Sequence, residues 1–277
     1  MTIAPSIAWQ WMELHDSVSL YAVERKVRRS VSLKQWQLHR CPCLHPQLLL
    51  APANEGRLHR AAWSGSLEQV KALLNFRIPV ACQACSGQTP LHLAAANGHG
   101  NVARTLLEHK AQVDCKDINR WSPLHWASFN GNLDIIDLLL SNGGTVNEKN
   151  NNGMTPLQLA VLAESICLGK LLLERGATVD AADKDLVTPL HLAAGCGGLC
   201  IAVHLLMQYG DSVGSTDLLE MTPLHYSPLN GFAETAKNLL CYGADKNAKE
   251  SLGKNSLAPC LTERPNSSPG GVTEEWG

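Results

Sequence analysis

Residues 89–92 read Thr89-Pro90-Leu91-His92, and this tetrapeptide returns four more times along the chain with small changes. The further copies begin at Ser122, Thr155, Thr188 and Thr222. Successive prolines in these copies lie 33, 33, 33 and 34 residues apart. A nearly constant interval of this length is typical of an array of small stacked units, each of which contacts only its neighbours. Function is therefore to be sought on a surface that the units share.

Each copy of the tetrapeptide is expected to start a helix. Thr89 suits the N-cap because its hydroxyl can accept a hydrogen bond from a free backbone N–H, and Pro90 suits the first helical position because it lacks an N–H. The pair Asn97-Gly98 is expected to end this helix, since glycine permits a positive φ. A second helix follows, and its apolar face carries Val102, Leu106 and Leu107. One unit is therefore a helix, a turn, a second helix and a hairpin loop.

This pattern resembles the ankyrin-repeat family. In that family a glycine precedes Thr-Pro-Leu-His-Leu-Ala-Ala, a second glycine separates the two helices, and a Leu-Leu-x-x-Gly-Ala-x-Val-Asn run closes the unit. Residues 86–113, 153–160 and 171–182 match the family pattern closely. The resemblance implies an all-α fold, an ankyrin-repeat solenoid of helix-turn-helix units joined by hairpin loops.

Counting in steps of 33 residues extends the array in both directions, to a degenerate unit around Leu58 and to a fragment around Leu257. Six repeats are predicted within residues 51–249, at 51–83, 84–116, 117–149, 150–182, 183–216 and 217–249. Residues 1–50 form an N-terminal extension whose structure the sequence does not define. Residues 250–277 are expected to form a partial capping repeat and a disordered tail, because the tail is rich in Pro, Gly, Ser and Asn.

Composition favours an interaction module. The chain has 23 basic and 25 acidic residues, so it lacks the strongly basic face that direct binding of nucleic acid requires. No stretch approaches 18 consecutive apolar residues, so membrane insertion is not expected. The first residues lack the pattern of a secretory signal. The predicted compartment is the cytoplasm, with the nucleus as a second possibility, and a monomer is expected.

Cysteine and histidine could signal a metal site. The candidates are Cys41-Pro42-Cys43, which is flanked by His39 and His45, and the pair Cys82 and Cys85. Their spacing fits no common zinc finger, so neither a metal nor a cofactor is predicted.

Four histidines recur at the same position of the repeat: His92, His125, His191 and His225. The family resemblance implies a structural role for them, in which the imidazole bridges the Thr hydroxyl and the backbone of the neighbouring hairpin. No phosphate-binding loop, nucleophile elbow or metalloprotease motif occurs, so the chain is not predicted to be an enzyme.

The resemblance further implies that a partner protein binds to the hairpin tips and to the concave face that the first helices form. Two sets of apolar residues are predicted to line that face. The residues just before the Thr-Pro pairs include Trp121, Met154, Val187 and Met221, and the last residues of the first helices include Trp63, Phe129, Leu162 and Leu229. A continuous apolar patch of this kind usually marks an interaction site.

The hairpin tips are predicted to add further apolar residues, namely Ile118, Leu186, Leu218 and Leu219. Two alternatives remain open for the predicted patch: the N-terminal extension folds back over it, or the hairpins bury these side chains against each other.

The predicted function is a non-catalytic protein–protein interaction module or scaffold. The alternative is a nuclear or transcriptional regulator, or a ubiquitin-ligase adaptor, that uses the same repeats. Asn147 follows Val146 at the hairpin position where the resemblance implies a possible asparagine hydroxylation.

Four departures from the pattern generate separate expectations. Trp126 is expected to lie in the core. Glu164 replaces the glycine that turns the chain between the two helices, so repeat four is expected to make that turn differently. Pro228 is expected to weaken the first helix of repeat six. The additional residue of repeat five is assigned to the stretch between Leu206 and Gly210.

Overall fold

The computed structural model describes residues 55–196, 200–227, 233–249 and 251. Within these residues twelve helices form six consecutive antiparallel pairs, as the all-α ankyrin-repeat prediction requires. The helices are α1 (Glu55–Ser64), α2 (Leu67–Asn75), α3 (Pro90–Ala96), α4 (Gly100–Glu108), α5 (Pro123–Asn130), α6 (Leu133–Ser141), α7 (Pro156–Leu162), α8 (Ile166–Glu174), α9 (Pro189–Gly195), α10 (Cys200–Gln208), α11 (Pro223–Tyr226) and α12 (Ala233–Cys241). The expectations for residues 1–54 and for the tail after Ser251 lie outside the described residues.

The core is continuous along the array. Each first helix packs against the first helices of the neighbouring repeats and against its own second helix. The apolar residues on these contact faces are almost fully buried, for example Leu91, Leu124, Leu157, Leu190 and Leu224. Small residues such as Ala94 and Ala127 allow the helices to approach closely. Each pair therefore buries its apolar surface against its neighbours, which is how a solenoid is stabilised.

In repeats two to five, a side chain at the start of the first helix joins that repeat to the next one. The Nδ1 atom of His92 accepts a hydrogen bond from the backbone N–H of Thr89 at 3.0 Å. The Nε2 atom of the same ring donates to the carbonyl oxygen of Trp121 at 3.0 Å. A backbone N–H can only donate and a carbonyl can only accept, so these two bonds fix the neutral Nε2–H tautomer. The hydroxyl of Thr89 also lies 2.9 Å from Nδ1, so the predicted bridge from the Thr hydroxyl to the next hairpin is confirmed for His92.

The same bridge recurs in the following repeats. His125 links the N–H of Ser122 to the carbonyl of Met154, and His191 links the N–H of Thr188 to the carbonyl of Met221. In repeat four the amide of Gln158 makes both bonds, at 2.9 Å to the N–H of Thr155 and at 2.6 Å to the carbonyl of Val187. A glutamine can therefore replace the histidine because its amide offers one acceptor and one donor.

Burial keeps these imidazoles neutral. It lowers the pKa of His92 and of His125 from 6.5 to about 4, although the bonds to the carbonyls of Trp121 and Met154 act in the opposite direction. Burial lowers the pKa of His191 as well. A second proton on any of these rings would occupy Nδ1 and remove the bond from the Thr or Ser N–H.

Four consecutive hairpin loops are each closed by a carboxylate or an amide, whereas the first hairpin has Ala84 at this position. The Oδ1 atom of Asp117 accepts hydrogen bonds from the N–H groups of Asn119 and Trp121, both at 2.9 Å. Asn150, Asp183 and Asp217 make the corresponding pair of bonds in the next three hairpins. Successive hairpins are then joined by one backbone bond, for example from the N–H of Ile118 to the carbonyl of Ser86 at 3.1 Å.

Trp126 lies in the core, as predicted, with 4% of its surface exposed. Its indole N–H donates to the Oδ2 atom of Asp117 at 3.2 Å. In repeat six the hydroxyl of Tyr226 donates to Asp217 at 2.6 Å in the same way. The side chain at this position therefore completes the hydrogen bonding of the carboxylate that closes the hairpin.

Two expectations about irregular positions were wrong. Repeat four makes the same turn as its neighbours, because Glu164 adopts a left-handed φ of 56° beside 73°, 78° and 76° for Gly65, Gly98 and Gly131. The additional residue of repeat five does not lie between Leu206 and Gly210, since α10 has nine residues like the other second helices from α2 to α8. It lies instead in the connection from α9 to α10.

The first helix of repeat six is short, as expected from Pro228. The described helix α11 has four residues, whereas α3, α7 and α9 have seven each. Pro228 itself lies outside the described residues.

We predict that replacing Glu164 by glycine stabilises the protein. A non-glycine residue with a left-handed φ lowers the stability of the fold by roughly 1–2 kcal/mol. Glycine avoids this strain, but it lowers stability by roughly 0.5–1 kcal/mol because it gives the unfolded chain more conformational entropy. The net gain should be of the order of 0.5–1 kcal/mol in urea denaturation. The reverse change, Gly131→Ala, is the matched control, because a Cβ there meets no atom closer than 4.0 Å and only the φ penalty should appear. A less stable Glu164→Gly variant would contradict the assignment of strain.

We also predict that the buried histidines make the fold sensitive to acid. Their pKa is lower in the folded chain than the value of 6.5 in the unfolded chain, so the unfolded state binds more protons. The stability they contribute is present above about pH 6.5 and is lost as the pH falls towards about 4, by about 1.4 kcal/mol for each unit of pKa shift.

A triple variant with His92→Gln, His125→Gln and His191→Gln should show a shallower loss of unfolding free energy between pH 7 and pH 5, because glutamine keeps both bonds and does not titrate. His109 is exposed and forms no bridge between repeats, so the variant His109→Gln is the control for the loss of an imidazole as such. Equal slopes for the triple variant and the wild type would disprove this role of the imidazoles.

Candidate protein-interaction surface

The structure does not expose the patch predicted from the sequence. Five of the eight predicted residues have 2–7% of their surface exposed: Trp121, Phe129, Met154, Val187 and Met221. Trp63 and Leu162 are half-buried at the ends of α1 and α7. Leu229 lies outside the described residues. The expectation of a continuous exposed apolar stripe is therefore wrong, because the side chains of these five residues are buried within the array.

The backbone bonds explain why the residue before each Thr-Pro lies inward. The N–H of Trp121 is held by Asp117 of its own hairpin, and its carbonyl is held by His92 of the preceding repeat. The indole ring then packs against Trp126 with ring centroids 5.0 Å apart, and edge-on against Phe129 at 5.5 Å. Two of the predicted patch residues thus contact each other instead of a partner.

Apolar residues are instead exposed at the hairpin tips. Ile118, Leu186 and Leu218 expose 65%, 46% and 61% of their surfaces, in agreement with the sequence prediction for them. Leu219, the fourth predicted tip residue, is half-buried. We call Ile118, Leu186 and Leu218 the apolar tips. Large apolar side chains held in water by a hydrogen-bonded scaffold contribute nothing to the core, so they are available for contact with another molecule.

Leu186 also has an unfavourable backbone conformation. Its φ is 59°, in the left-handed region, where a leucine is strained. At the equivalent place in two other hairpins the chain has Gly87 and Gly153, with φ of 74° and 79°. Leu186 is therefore unfavourable for folding in two respects: its backbone is strained, and its apolar side chain is exposed to water. Strain of this kind is concentrated at functional positions in proteins.

The polar residues around the tips are mixed in charge. Arg120 and Glu220 occupy the same position as Leu186 in their own hairpins and share its left-handed conformation, with φ of 59° each. Lys184 and Asp185 are exposed beside Leu186. The tip of repeat four is wholly polar, since Asn151 and Asn152 are both exposed there. The apolar tips are thus separate exposed side chains within a polar surface of balanced charge.

Three exposed apolar residues were not identified from the sequence. One is Leu133 at the start of α6, with 40% of its surface exposed, and the other two share a position of the repeat. Phe76 exposes 81% of its surface just after α2, and Tyr209 exposes 41% just after α10. They occupy the same position of the repeat as His109, Asn142 and Arg175, at the ends of second helices. Tyr242 has the same position in repeat six, so an alignment of the repeats by column would have shown aromatic residues at three of the six places.

Asn147 is exposed on the outer part of its hairpin, but its side chain is engaged. Its Oδ1 atom accepts from the N–H of Thr178 at 2.8 Å, and its Nδ2 atom donates to the carbonyl of Gly176 at 3.1 Å. The amide therefore links repeat three to repeat four. Hydroxylation of this residue stays a prediction.

The buried imidazoles are not arranged for catalysis. His92 and His125 are neutral, inaccessible to solvent and hydrogen-bonded to the backbone at both ring nitrogens, so neither nitrogen is available to a substrate. Within residues 55–251, so far as they are described, no group of three His, Cys, Asp or Glu side chains is placed to hold a metal ion. Cys41 and Cys43 lie outside those residues. No helix in the described part is both long and apolar enough to cross a membrane.

The comparisons with known proteins agree with this architecture. The family model for ankyrin repeats matches at residues 58–150, 110–183, 142–217 and 179–250, which together cover most of the chain. No curated protein matches the sequence significantly.

Two solved ankyrin-repeat domains are similar in structure. The domain of human ASB11 is 27% identical with a TM-score of 0.68, and the match covers 76% of this chain and 99% of that one. The domain of Bcl-3, described as a unique member of the IkappaB protein family, is 28% identical with a TM-score of 0.65, and the match covers 73% of this chain and 92% of that one.

Ankyrin repeats generally mediate protein–protein interactions, and the fold is typically a non-catalytic interaction module. The repeated helix pairs, the histidine bridges and the match of the family model over residues 58–250 lead to one conclusion: the chain belongs to the ankyrin-repeat family.

Proposed function

We propose that the chain is a non-catalytic scaffold that binds a partner protein through its hairpin tips, with Ile118, Leu186 and Leu218 as the apolar anchors. The observation that carries this proposal is the exposure of Leu186 in a left-handed backbone conformation. A leucine there lowers stability, and its exposed side chain gains nothing within the fold. Contact with a partner would supply the missing burial of apolar surface.

The neighbouring hairpins support the same surface. The backbone N–H of Leu218 donates to the carbonyl of Asp185 at 3.1 Å, so the tips that carry Leu186 and Leu218 are held next to each other. Trp63 and Leu162, half-buried at the ends of first helices, stay in the proposal as its concave floor. The five buried residues of the original patch are removed from it, because they cannot contact a partner without unfolding part of a repeat.

The polar surroundings favour a partner that is a folded or folding protein over a nucleic acid. Exposed charges of both signs, Arg120, Lys184, Asp185 and Glu220, surround the anchors. A small number of apolar anchors within a polar rim is the usual arrangement of a protein interface. The proposed compartment is the cytoplasm, with the nucleus as the second possibility, and the chain is proposed to act as a monomer.

The second candidate is a nuclear regulator or a ubiquitin-ligase adaptor that uses the same repeats. The two candidates share the surface and differ in the partner. Identification of the captured protein distinguishes them: a transcription factor or a ligase subunit would favour the second candidate.

We predict that a tip variant loses its partner while it keeps its fold. The variant combines Ile118→Asn, Leu186→Gly and Leu218→Asn, which are the residues that repeat four has at those positions. Loss of the apolar anchors should lower the partner's affinity by at least about tenfold, since anchor residues each contribute about 1–2 kcal/mol or more. Proximity labelling in cells with the full chain, followed by mass spectrometry, measures the loss.

Two controls accompany this experiment. Phe76→Asn removes a more exposed apolar side chain away from the tips and should leave the labelled proteins unchanged. Denaturation of the tip variant should show equal or higher stability than the wild type, because Leu186→Gly relieves the left-handed strain. If the folded tip variant labels the same proteins as the wild type, the tips are not the binding surface.

A further inference from the structure

Asp211 is a charged residue in a column of small or apolar residues. It follows α10 at the place where the second helix of each repeat passes into the hairpin. The residues at that place in the other repeats are Ile78, Ala111, Gly144, Ala177 and Ala244. Asp211 is buried there, with 5% of its surface exposed. A carboxylate is a costly replacement for an alanine in a buried position unless its charge is compensated.

The buried carboxylate of Asp211 is only partly compensated by hydrogen bonds. The Oδ1 atom of Asp211 accepts a hydrogen bond from the N–H of Ser212 at 2.7 Å. Its Oδ2 atom is buried and has no hydrogen-bond partner among the described residues. A buried ionised carboxylate with one unpaired oxygen is unfavourable by comparison with its protonated form, which carries no charge to desolvate.

The equivalent joints between other repeats are built differently. Between repeats two and three, Asp114 accepts from the N–H of Thr145 at 3.0 Å, and Asn147 does the same for Thr178 between repeats three and four. Asp180 has the corresponding place between repeats four and five. At that joint the corresponding N–H, of Ser212, donates to Asp211.

Two further groups oppose ionisation of Asp211. The N–H of Asp211 donates to the carbonyl of Leu206 at 3.2 Å, so the residue lies beside the carboxyl end of α10, where the helix dipole is negative. The charged side chain that acts on it is Asp180 of the preceding hairpin, a like charge. Burial, which is the largest cause, and the Asp180 carboxylate raise the pKa of Asp211 to about 7, against the opposing effect of the Ser212 N–H.

We infer that Asp211 is a pH-sensitive element of the array, whose ionisation loosens the joint between repeats four and five above neutral pH. The sign follows from the direction of the shift. The folded chain holds the proton of Asp211 more tightly than the unfolded chain does, so the stability that this group contributes is present at low pH. It is lost as the pH rises from about 4 to about 7. This trend is opposite to that of the buried histidines.

The position of the joint connects this element to the hairpin tips. Asp211 begins the loop that carries Leu218, and Asp180 lies in the loop that carries Leu186. A looser joint would separate two of the three apolar tips, so partner binding would weaken above neutral pH. This coupling rests on the proposed function, whereas the loosening of the joint does not.

Hydrogen exchange of the full chain tests the loosening without a partner. The opening constants of the amides in α10 are measured from pH 6 to pH 8, corrected for the intrinsic pH dependence of exchange, with the amides of α6 as an internal reference. In the wild type the opening constant of α10 relative to α6 should rise about tenfold over this range, because the unfolded carboxyl is fully ionised while the folded one titrates near 7.

Two variants at Asp211 and one at Asp180 make the test specific. Asp211→Asn keeps the shape and the acceptor for Ser212 but does not titrate, and Asp211→Ala introduces the residue of repeats two, four and six. Both should show a flat ratio from pH 6 to pH 8, and Asp180→Asn should reduce the rise. A tenfold rise that persists in both variants, or a flat ratio in the wild type, would overturn the inference.

Discussion

A neutral side chain that bonds to the backbone of two repeats is the interaction on which the rest of this array depends. In His92 one ring nitrogen accepts from the start of its own helix, and the other donates to the carbonyl of Trp121 in the next repeat. Gln158 makes the same connection without a titratable group. Each bond is buried, so removing one partner would leave an unsatisfied polar group at a cost of about 1–3 kcal/mol. The stack is therefore held in register by specific bonds as well as by apolar contact.

This constraint also decides which residues can meet another molecule. The N–H and the carbonyl of Trp121 are both hydrogen-bonded, which fixes the residue between the hairpin and the helix. Its ring therefore packs against Trp126 and Phe129. The same holds for Met154 and Val187, which are bound and buried in the same way. Within the hairpins, the exposed apolar residues include Ile118 and Leu218, which lie beyond the bonded part of the loop. The proposed interaction surface is therefore centred on the tips.

The sequence was sufficient for the features that follow from periodicity. The repeat interval, the helix starts at Thr-Pro and the burial of Trp126 could all be predicted, whereas the bridging role of His125 was implied by the family resemblance. Periodicity shows that residues are equivalent, but it does not show which way they point, so the apolar column of Trp121 was assigned to the surface. Periodicity also does not show whether a residue that departs from the repeat pattern lowers stability. Glu164 makes the turn that glycine makes in other repeats, but with a strained φ. Asp211 replaces a small or apolar residue, and its buried carboxyl has a raised pKa.

The account depends most directly on the neutral tautomer of the bridging histidines. Nitrogen-15 spectra of the imidazole rings, recorded at pH 7 and pH 5 on the full chain, report the protonation of each ring nitrogen. His92 and His125 should both show a protonated Nε2 and an unprotonated Nδ1 at both pH values, with no titration between them. Rings that become doubly protonated at pH 5, or that carry the proton on Nδ1, would contradict the proposed link between one repeat and the next.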